Sequence, residues 1–233
     1  MNLTERLAAV RARIEQAERQ YQRPPGSVKL IAVSKTRPVS DVQQLLREGQ
    51  RCFGESYVQE AVEKITALAG EAIEWHFIGP IQSNKTRAIA EHFAWVQSVD
   101  RLKIAQRLQD QRPAHLPPLN ICLQVNISRD PAKSGVAPEK LAELARAIAP
   151  LDRLCLRGLM AIPSYSSELE QQRRPFHALR NCLEELQQQG LKLDTLSMGM
   201  SNDMEAAIAE GATMVRIGTD IFGARTQKLD TPA

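Results

Sequence analysis

Apolar positions along the chain follow two alternating rhythms. Short runs rich in Val, Ile, Leu and Phe occupy residues 28–34, 51–54, 74–79, 95–99, 120–127, 155–162, 195–199 and 214–218. Between them lie segments at 39–49, 57–69, 84–92, 101–111, 138–149, 167–189 and 203–210 that read as helices, with a further short piece starting near Thr219. The first rhythm belongs to strands buried on both faces, the second to amphipathic helices. Ahead of the first strand, Leu3, Leu7, Val10 and Ile14 repeat at helical spacing, with Glu5, Arg11, Arg13, Glu15 and Glu18 on the other faces. That spacing predicts an additional N-terminal helix over 3–21.

Strand followed by helix, repeated, predicts parallel strands joined by crossover helices. Eight such units in 233 residues fit a closed (β/α)8 TIM barrel of the α/β class. An open doubly wound sheet is the other arrangement, and it usually carries a glycine-rich turn after the first strand. Here the first strand ends Ala32-Val33-Ser34-Lys35-Thr36, without glycine. No linker splits the chain. The expectation is one barrel domain over residues 1–227 and a flexible tail over 228–233.

Composition narrows the classes further. With 43% hydrophobic and 24% charged residues, the chain is expected to be a soluble globular protein. No apolar run approaches the roughly 18 residues of a membrane span. The net charge of +3 comes from 30 Lys and Arg scattered among 27 acids, which argues against a nucleic-acid binder. The first helix has acids and no unbroken apolar centre, so it is neither a secretory nor a transit signal, and a cytoplasmic location is expected. The four cysteines form no C-x-x-C pair, and Cys122 and Cys155 read as small core residues. The four histidines do not cluster with acids at ligand spacing, so no metal site is expected.

In a barrel of this kind, chemistry collects at the C-terminal ends of the strands. That rule selects Lys35, Glu55, Ser56, residues 80–84, Asn126, Ser128, Met200, Ser201, Gly218, Thr219 and Asp220. Lys35 reads two ways. It is a surface lysine just past a strand, or an amine against apolar walls whose lowered pKa lets it form a Schiff base with an aldehyde. The turns Gly199-Met200-Ser201-Asn202-Asp203 and Gly218-Thr219-Asp220 follow strands seven and eight, where barrels recurrently bind phosphate. Ser201 and Asn202 equally suit a helix cap, with Glu205 completing a capping box. A phosphate pocket facing a Schiff-base lysine suggests a phosphorylated aldehyde, of which pyridoxal 5′-phosphate is the common cofactor. Arg216, inside the eighth strand, needs a buried acceptor: an acid within the barrel or the ring nitrogen of that cofactor.

Longer stretches carry a family resemblance over nearly the whole chain. They include Ile31-Ala32-Val33-Ser34-Lys35-Thr36, Trp75-His76-Phe77-Ile78-Gly79-Pro80-Ile81-Gln82-Ser83-Asn84-Lys85, Lys133-Ser134-Gly135, Leu196-Ser197-Met198-Gly199-Met200-Ser201-Asn202-Asp203 and Val215-Arg216-Ile217-Gly218-Thr219. The chain resembles the YggS/PROSC family of pyridoxal phosphate homeostasis proteins. The resemblance implies a barrel like the alanine racemase N-terminal domain and pyridoxal 5′-phosphate held as an internal aldimine on Lys35. It also implies a phosphate contacted by Ser201, Gly218 and Thr219, and a ring nitrogen facing Arg216. Two positions depart from the expected pattern: Ser56 stands where asparagine is expected, and Asp220 where a small neutral residue is expected, placing an extra carboxylate near the phosphate.

Two function classes follow. The first is a non-catalytic carrier or regulator in vitamin B6 homeostasis, read as a monomer from which the cofactor exchanges with apo-enzymes. The second is an amino-acid racemase of low activity, or less readily a Schiff-base aldolase. A racemase needs two bases. In alanine racemase-like enzymes the second comes from an added β domain, for which the sequence leaves no room after the eighth unit, and none of Tyr21, Tyr57 and Tyr165 stands out by sequence as its replacement. The expectation is therefore a monomer that binds the cofactor without turnover.

Overall fold

A computed structural model describes residues 1–224; the expected tail at 228–233 and the end of the expected domain lie outside the described residues. The chain opens with α1 (Leu3–Gln20) and continues as β1 (Lys29–Val33), α2 (Val39–Arg47), β2 (Cys52–Glu55), α3 (Val58–Ala67) and β3 (Glu74–Phe77). Next come a 3-10 turn at Ser83–Lys85, α4 (Thr86–His92), β4 (Trp95–Val99), α5 (Leu102–Gln111), β5 (Leu119–Gln124) and α6 (Pro138–Ile148). The series ends with β6 (Leu154–Met160), α7 (Leu169–Gln188), β7 (Thr195–Ser197), α8 (Met204–Ala209), β8 (Met214–Ile217) and α9 (Thr219–Phe222). The strands pair in parallel in chain order, and β8 closes back on β1 with Ile31 opposite Arg216, so the sheet is a closed barrel. The expected (β/α)8 architecture and the N-terminal helix are both present.

Alternation along each strand sends one set of side chains outward to the helices and the other into the lumen. On β8, Val215 and Ile217 are fully buried in the outer core. Met214 joins a separate inner cluster with Ile31, Trp95, Cys122 and Met160. The lumen is not apolar throughout. Arg216 Nη1 donates to Ser197 Oγ at 2.7 Å, Ser197 donates to Gln97 Oε1 at 2.6 Å, and Gln97 Nε2 lies 3.0 Å from His76 Nδ1. Strands β4 and β7 are not neighbours, so the Ser197–Gln97 bond crosses the barrel.

Cys155 departs from expectation. It is exposed rather than part of the core, because it alternates with Leu154 and Leu156 of the outer core and so lies on the lumen row at the N-terminal start of β6, at the end of the barrel. Cys122, in mid-strand, is fully buried. Among the described residues, no helix is long and apolar enough to cross a membrane.

Helix α1 is held by an Asn2 capping box with Glu5 and buries Leu7, Val10, Ile14 and Ala17. It packs against α2, α8 and α9. This places it behind the last two units of the barrel, beside the turns at their strand ends.

Candidate functional site

The C-terminal mouth of the barrel holds a cleft of about 290 Å³. Lys35, Ser201, Arg216, Gly218 and Thr219 all line it, as do Ser56 and Met200. The other strand-end candidates do not. Asn126 binds its own loop through the carbonyls of Asp130 and Lys133, and Ser128 accepts the Ser164 N–H.

Lys35 is half-buried and leaves β1 on a constrained turn. The next residue, Thr36, has φ of 64°, a conformation that costs a β-branched residue on the order of 1–2 kcal/mol. Its N–H donates to Glu60 Oε1 at 2.6 Å. Lys64, on α3, binds that same oxygen at 2.6 Å, Glu55 Oε1 at 2.8 Å and the Ser34 carbonyl at 2.7 Å. The Ser34 hydroxyl adds a 2.6 Å bond to Glu55. Glu55 and Lys64 are both buried, and burial raises the Glu55 pKa while the Lys64 ammonium opposes the shift. The result is a fixed platform on which Lys35 is the next residue outward.

Across the cleft, Gly199 is required by its conformation: φ is +95°, and a Cβ there would meet the Ala207 Cβ at 2.6 Å. The turn then carries Met200, Ser201 and Asn202 to the rim. Asp203, not Asn202, is the N-cap of α8, and it turns its carboxylate back to accept the Met200 N–H at 2.6 Å. Of the two readings of this turn, the capping box of Asn202 with Glu205 is thus not formed, and Ser201 lines the cleft. Its Oγ accepts a long, 3.4 Å bond from the Asp220 N–H at the start of α9. First-turn amides of a helix have no intrahelical partner and favour anions.

Arg13, far away in the sequence, ties these turns together. From α1 it pairs with Asp220 and Glu205 and donates to the Ser201 carbonyl at 3.2 Å. The unexpected carboxylate of Asp220 is therefore matched by a guanidinium rather than left facing the cleft. Arg37 holds the far end of α9 by donating to the Gly223 carbonyl at 2.6 Å.

Arg216 forms part of the cleft wall from within the lumen, 3% exposed. Its bonds go to the Ser197 hydroxyl and, at 2.9 Å, to the Ala161 carbonyl. Among the described residues no carboxylate pairs with it, and Asp203 acts only through space. Burial pulls its pKa down to about 10, so it remains a cation at neutral pH. The acid expected as one alternative partner is absent from its contacts. Tyr165, which sequence gave no reason to select, also lines the cleft.

Comparison with known proteins shows the relatives of this fold. The family model described as "Alanine racemase, N-terminal domain" matches residues 6–226. A pyridoxal phosphate homeostasis protein of Pseudomonas aeruginosa is 59% identical over 223 residues, 96% of each chain. The chain belongs to the pyridoxal phosphate homeostasis protein family. A second member, from Escherichia coli K12, is 52% identical over 96% of this chain and 97% of its own. The solved structure of PipY from Synechococcus elongatus with PLP bound matches this family member with a TM-score of 0.84 and 39% identity. It covers 95% of this chain and 100% of that one. Alanine racemase from Corynebacterium glutamicum shares the fold, at a TM-score of 0.70 and 18% identity over 97% of this chain and 64% of its own.

Proposed function

We propose that the cleft binds pyridoxal 5′-phosphate, and that the protein holds and hands on this cofactor in vitamin B6 homeostasis rather than using it for turnover. The observation that carries the reading is the convergence of Lys35 from β1 with Ser201, Gly218 and Thr219 from the last two units on one cleft walled by Arg216. The relatives' names and the PLP-bound PipY structure support it. The cofactor supplies an aldehyde that condenses with an amine and a ring that accepts electron density.

The residues present suit it. Lys35 Nζ is the covalent attachment point. The Ser201 and Thr219 hydroxyls and the turn at Gly218 receive the phosphate. Arg216 offers the ring nitrogen a donor that does not give up its proton, which keeps that nitrogen unprotonated and the ring a weak electron sink. Handover to apo-enzymes is the use we assign to such a site, with the protein acting as a cytoplasmic monomer.

Borohydride reduction of the holo-protein followed by peptide mapping tests the attachment. The adduct is expected on Lys35 and absent from Lys35→Ala. An adduct mainly on Lys85 or Lys133 would overturn the assignment. Changing Ser201 and Thr219 together to Ala is expected to raise the dissociation constant at least tenfold with the fold intact, since each bond to a charged group contributes about 1.5–3 kcal/mol. Unchanged affinity would place the phosphate elsewhere.

Tyr165 on the cleft wall supports the second reading, a racemase of low activity, because it is a side chain able to act as a base near the substrate. Deuterium uptake at the α-carbon of L- and D-alanine separates the two. Homeostasis predicts at most slow exchange, equal in wild type and Tyr165→Phe. Turnover of about 10 s⁻¹, lost in Tyr165→Phe, would make the protein an enzyme.

A further inference from the structure

The opposite, N-terminal mouth of the barrel carries a second constellation. Glu74 and His76 are alternate residues of β3 and so share its inner face. Barrel register sets Cys52 of β2 directly opposite Glu74. His76 Nε2 lies 3.0 Å from Glu74 Oε1, Cys52 Sγ lies 3.5 Å from the same oxygen, and the three ligand-type atoms fall within 4.8 Å of one another. Linear spacing hides this group, because Cys52 is brought in by strand pairing alone.

We propose that Cys52, Glu74 and His76 form a zinc site at this mouth, separate from the cleft that holds the proposed cofactor. Bond lengths of about 2.0–2.3 Å to zinc put ligand atoms roughly 3.3–3.8 Å apart in a tetrahedron. Two of the three gaps already match to within a few tenths of an ångström, and a small rotation of Cys52 closes the third. One thiolate, one imidazole and one carboxylate form a donor set suited to zinc and unsuited to magnesium or calcium, which take oxygen. The imidazole is held from behind: Gln97 Nε2 lies 3.0 Å from its other nitrogen, and the same amide turned over offers the oxygen that the rear partners of metal-bound histidines supply. A recess of about 350 Å³ opens beside Glu74, which gives access and leaves the fourth position to water.

Glu74 already holds a cation there, since Lys29 Nζ sits 2.9 Å from its Oε1. Zinc displaces that ammonium. Cys52 loses its thiol proton to solvent, and the neutral imidazole shifts its proton from Nε2 to Nδ1, where Gln97 turns its amide oxygen to accept it while the Ser197 hydroxyl rotates its hydrogen away and accepts from the Gln97 NH2 instead. One proton is released for each zinc bound, and no electrons move.

The competing lysine yields a distinctive test. Zinc is titrated into the full-length holo-protein against a chromogenic chelator, alongside Cys52→Ser, Glu74→Gln and Lys29→Gln. One zinc per chain is expected, weakened at least tenfold by either ligand change and tightened severalfold by Lys29→Gln. Zinc is also expected to shield Cys52, but not the exposed Cys155, from alkylation mapped by mass spectrometry. Circular dichroism and the absorbance of the bound cofactor confirm that each variant is folded. Folded Cys52→Ser and Glu74→Gln variants that bind zinc as wild type does, or alkylation of Cys52 undiminished by zinc, would overturn the site. So would the absence of any stoichiometric binding, even in Lys29→Gln.

Discussion

Lys64 illustrates how much of a site can rest on one buried side chain. It is 3% exposed, and its ammonium meets Glu55, Glu60 and the Ser34 carbonyl, so removing it strands a fully buried carboxylate. Breaking a buried pair in this way costs about 3–5 kcal/mol. Lys64→Met is expected to lose stability of that order by urea unfolding at neutral pH, and to loosen the turn that carries Lys35. Burial raises the folded-state pKa of Glu55. The contribution of a group shifted that way is full below its unfolded value of about 4.3 and is lost as pH rises through the folded value. The deficit of Lys64→Met should therefore shrink on acidification. A deficit independent of pH would show that Glu55 is not the group left stranded, and Glu55→Gln in the same background should recover part of the loss. Sequence made Lys35 conspicuous because it follows an apolar strand. Lys64 carried no such signal: a lysine on an amphipathic helix reads as solvated, and only the approach of Glu55 from β2 makes it internal.

At the level of elements, α1 does more than cover an apolar patch. Its Arg13 spans the two turns that face Lys35, through Ser201 and Glu205 on one side and Asp220 on the other. Arg13→Ala is expected to release the Asp220 carboxylate toward the phosphate. Two like charges a few ångströms apart in a water-rich setting repel by about 1 kcal/mol, which corresponds to about a fivefold weaker affinity. Fluorescence titration would measure the loss, and the further change Asp220→Asn should restore most of it. A double variant as weak as the single would mean that Arg13 acts through packing alone. The strands and helices themselves were legible, because parallel strands buried on both faces stand out as short apolar runs between helical periods. The clamp was not, since Arg13 and Asp220 are 207 positions apart and each, taken alone, looks like an ordinary surface charge. The cap of α8 is ambiguous in the sequence for a local reason. Both Asn202 and Asp203 can cap a helix, and Asp203 takes the place, its carboxylate accepting the Met200 N–H.

For the molecule as a whole, barrel closure explains why five residues from three separate stretches of sequence reach one cleft: every strand delivers its C-terminal end to the same rim. Strand order and the rim rule were enough to select four of them, and Arg216 stood out as an arginine inside an apolar strand, whereas the contents of the lumen depend on register, which no linear pattern contains. Those contents have a direction. Arg216 can only donate, so Ser197 must accept from it and pass its own hydrogen to Gln97. With no metal on His76, Gln97 then presents its NH2 to the ring, which leaves the imidazole with its hydrogen on Nε2, aimed at Glu74. Burial lowers the His76 pKa and keeps the ring neutral, so a single tautomer is specified from the far end of the barrel. Nitrogen-15 spectra of the ring should show one form in wild type and a mixture in Ser197→Ala, where the orienting hydroxyl is gone. Two equal populations in wild type would show that Gln97 does not hold a single orientation against the ring. The arrangement makes His76 a remote gauge: an event that turns Arg216 at one mouth is written into the resonance frequency of a nucleus near the other, where it can be read without any label or probe entering the cleft.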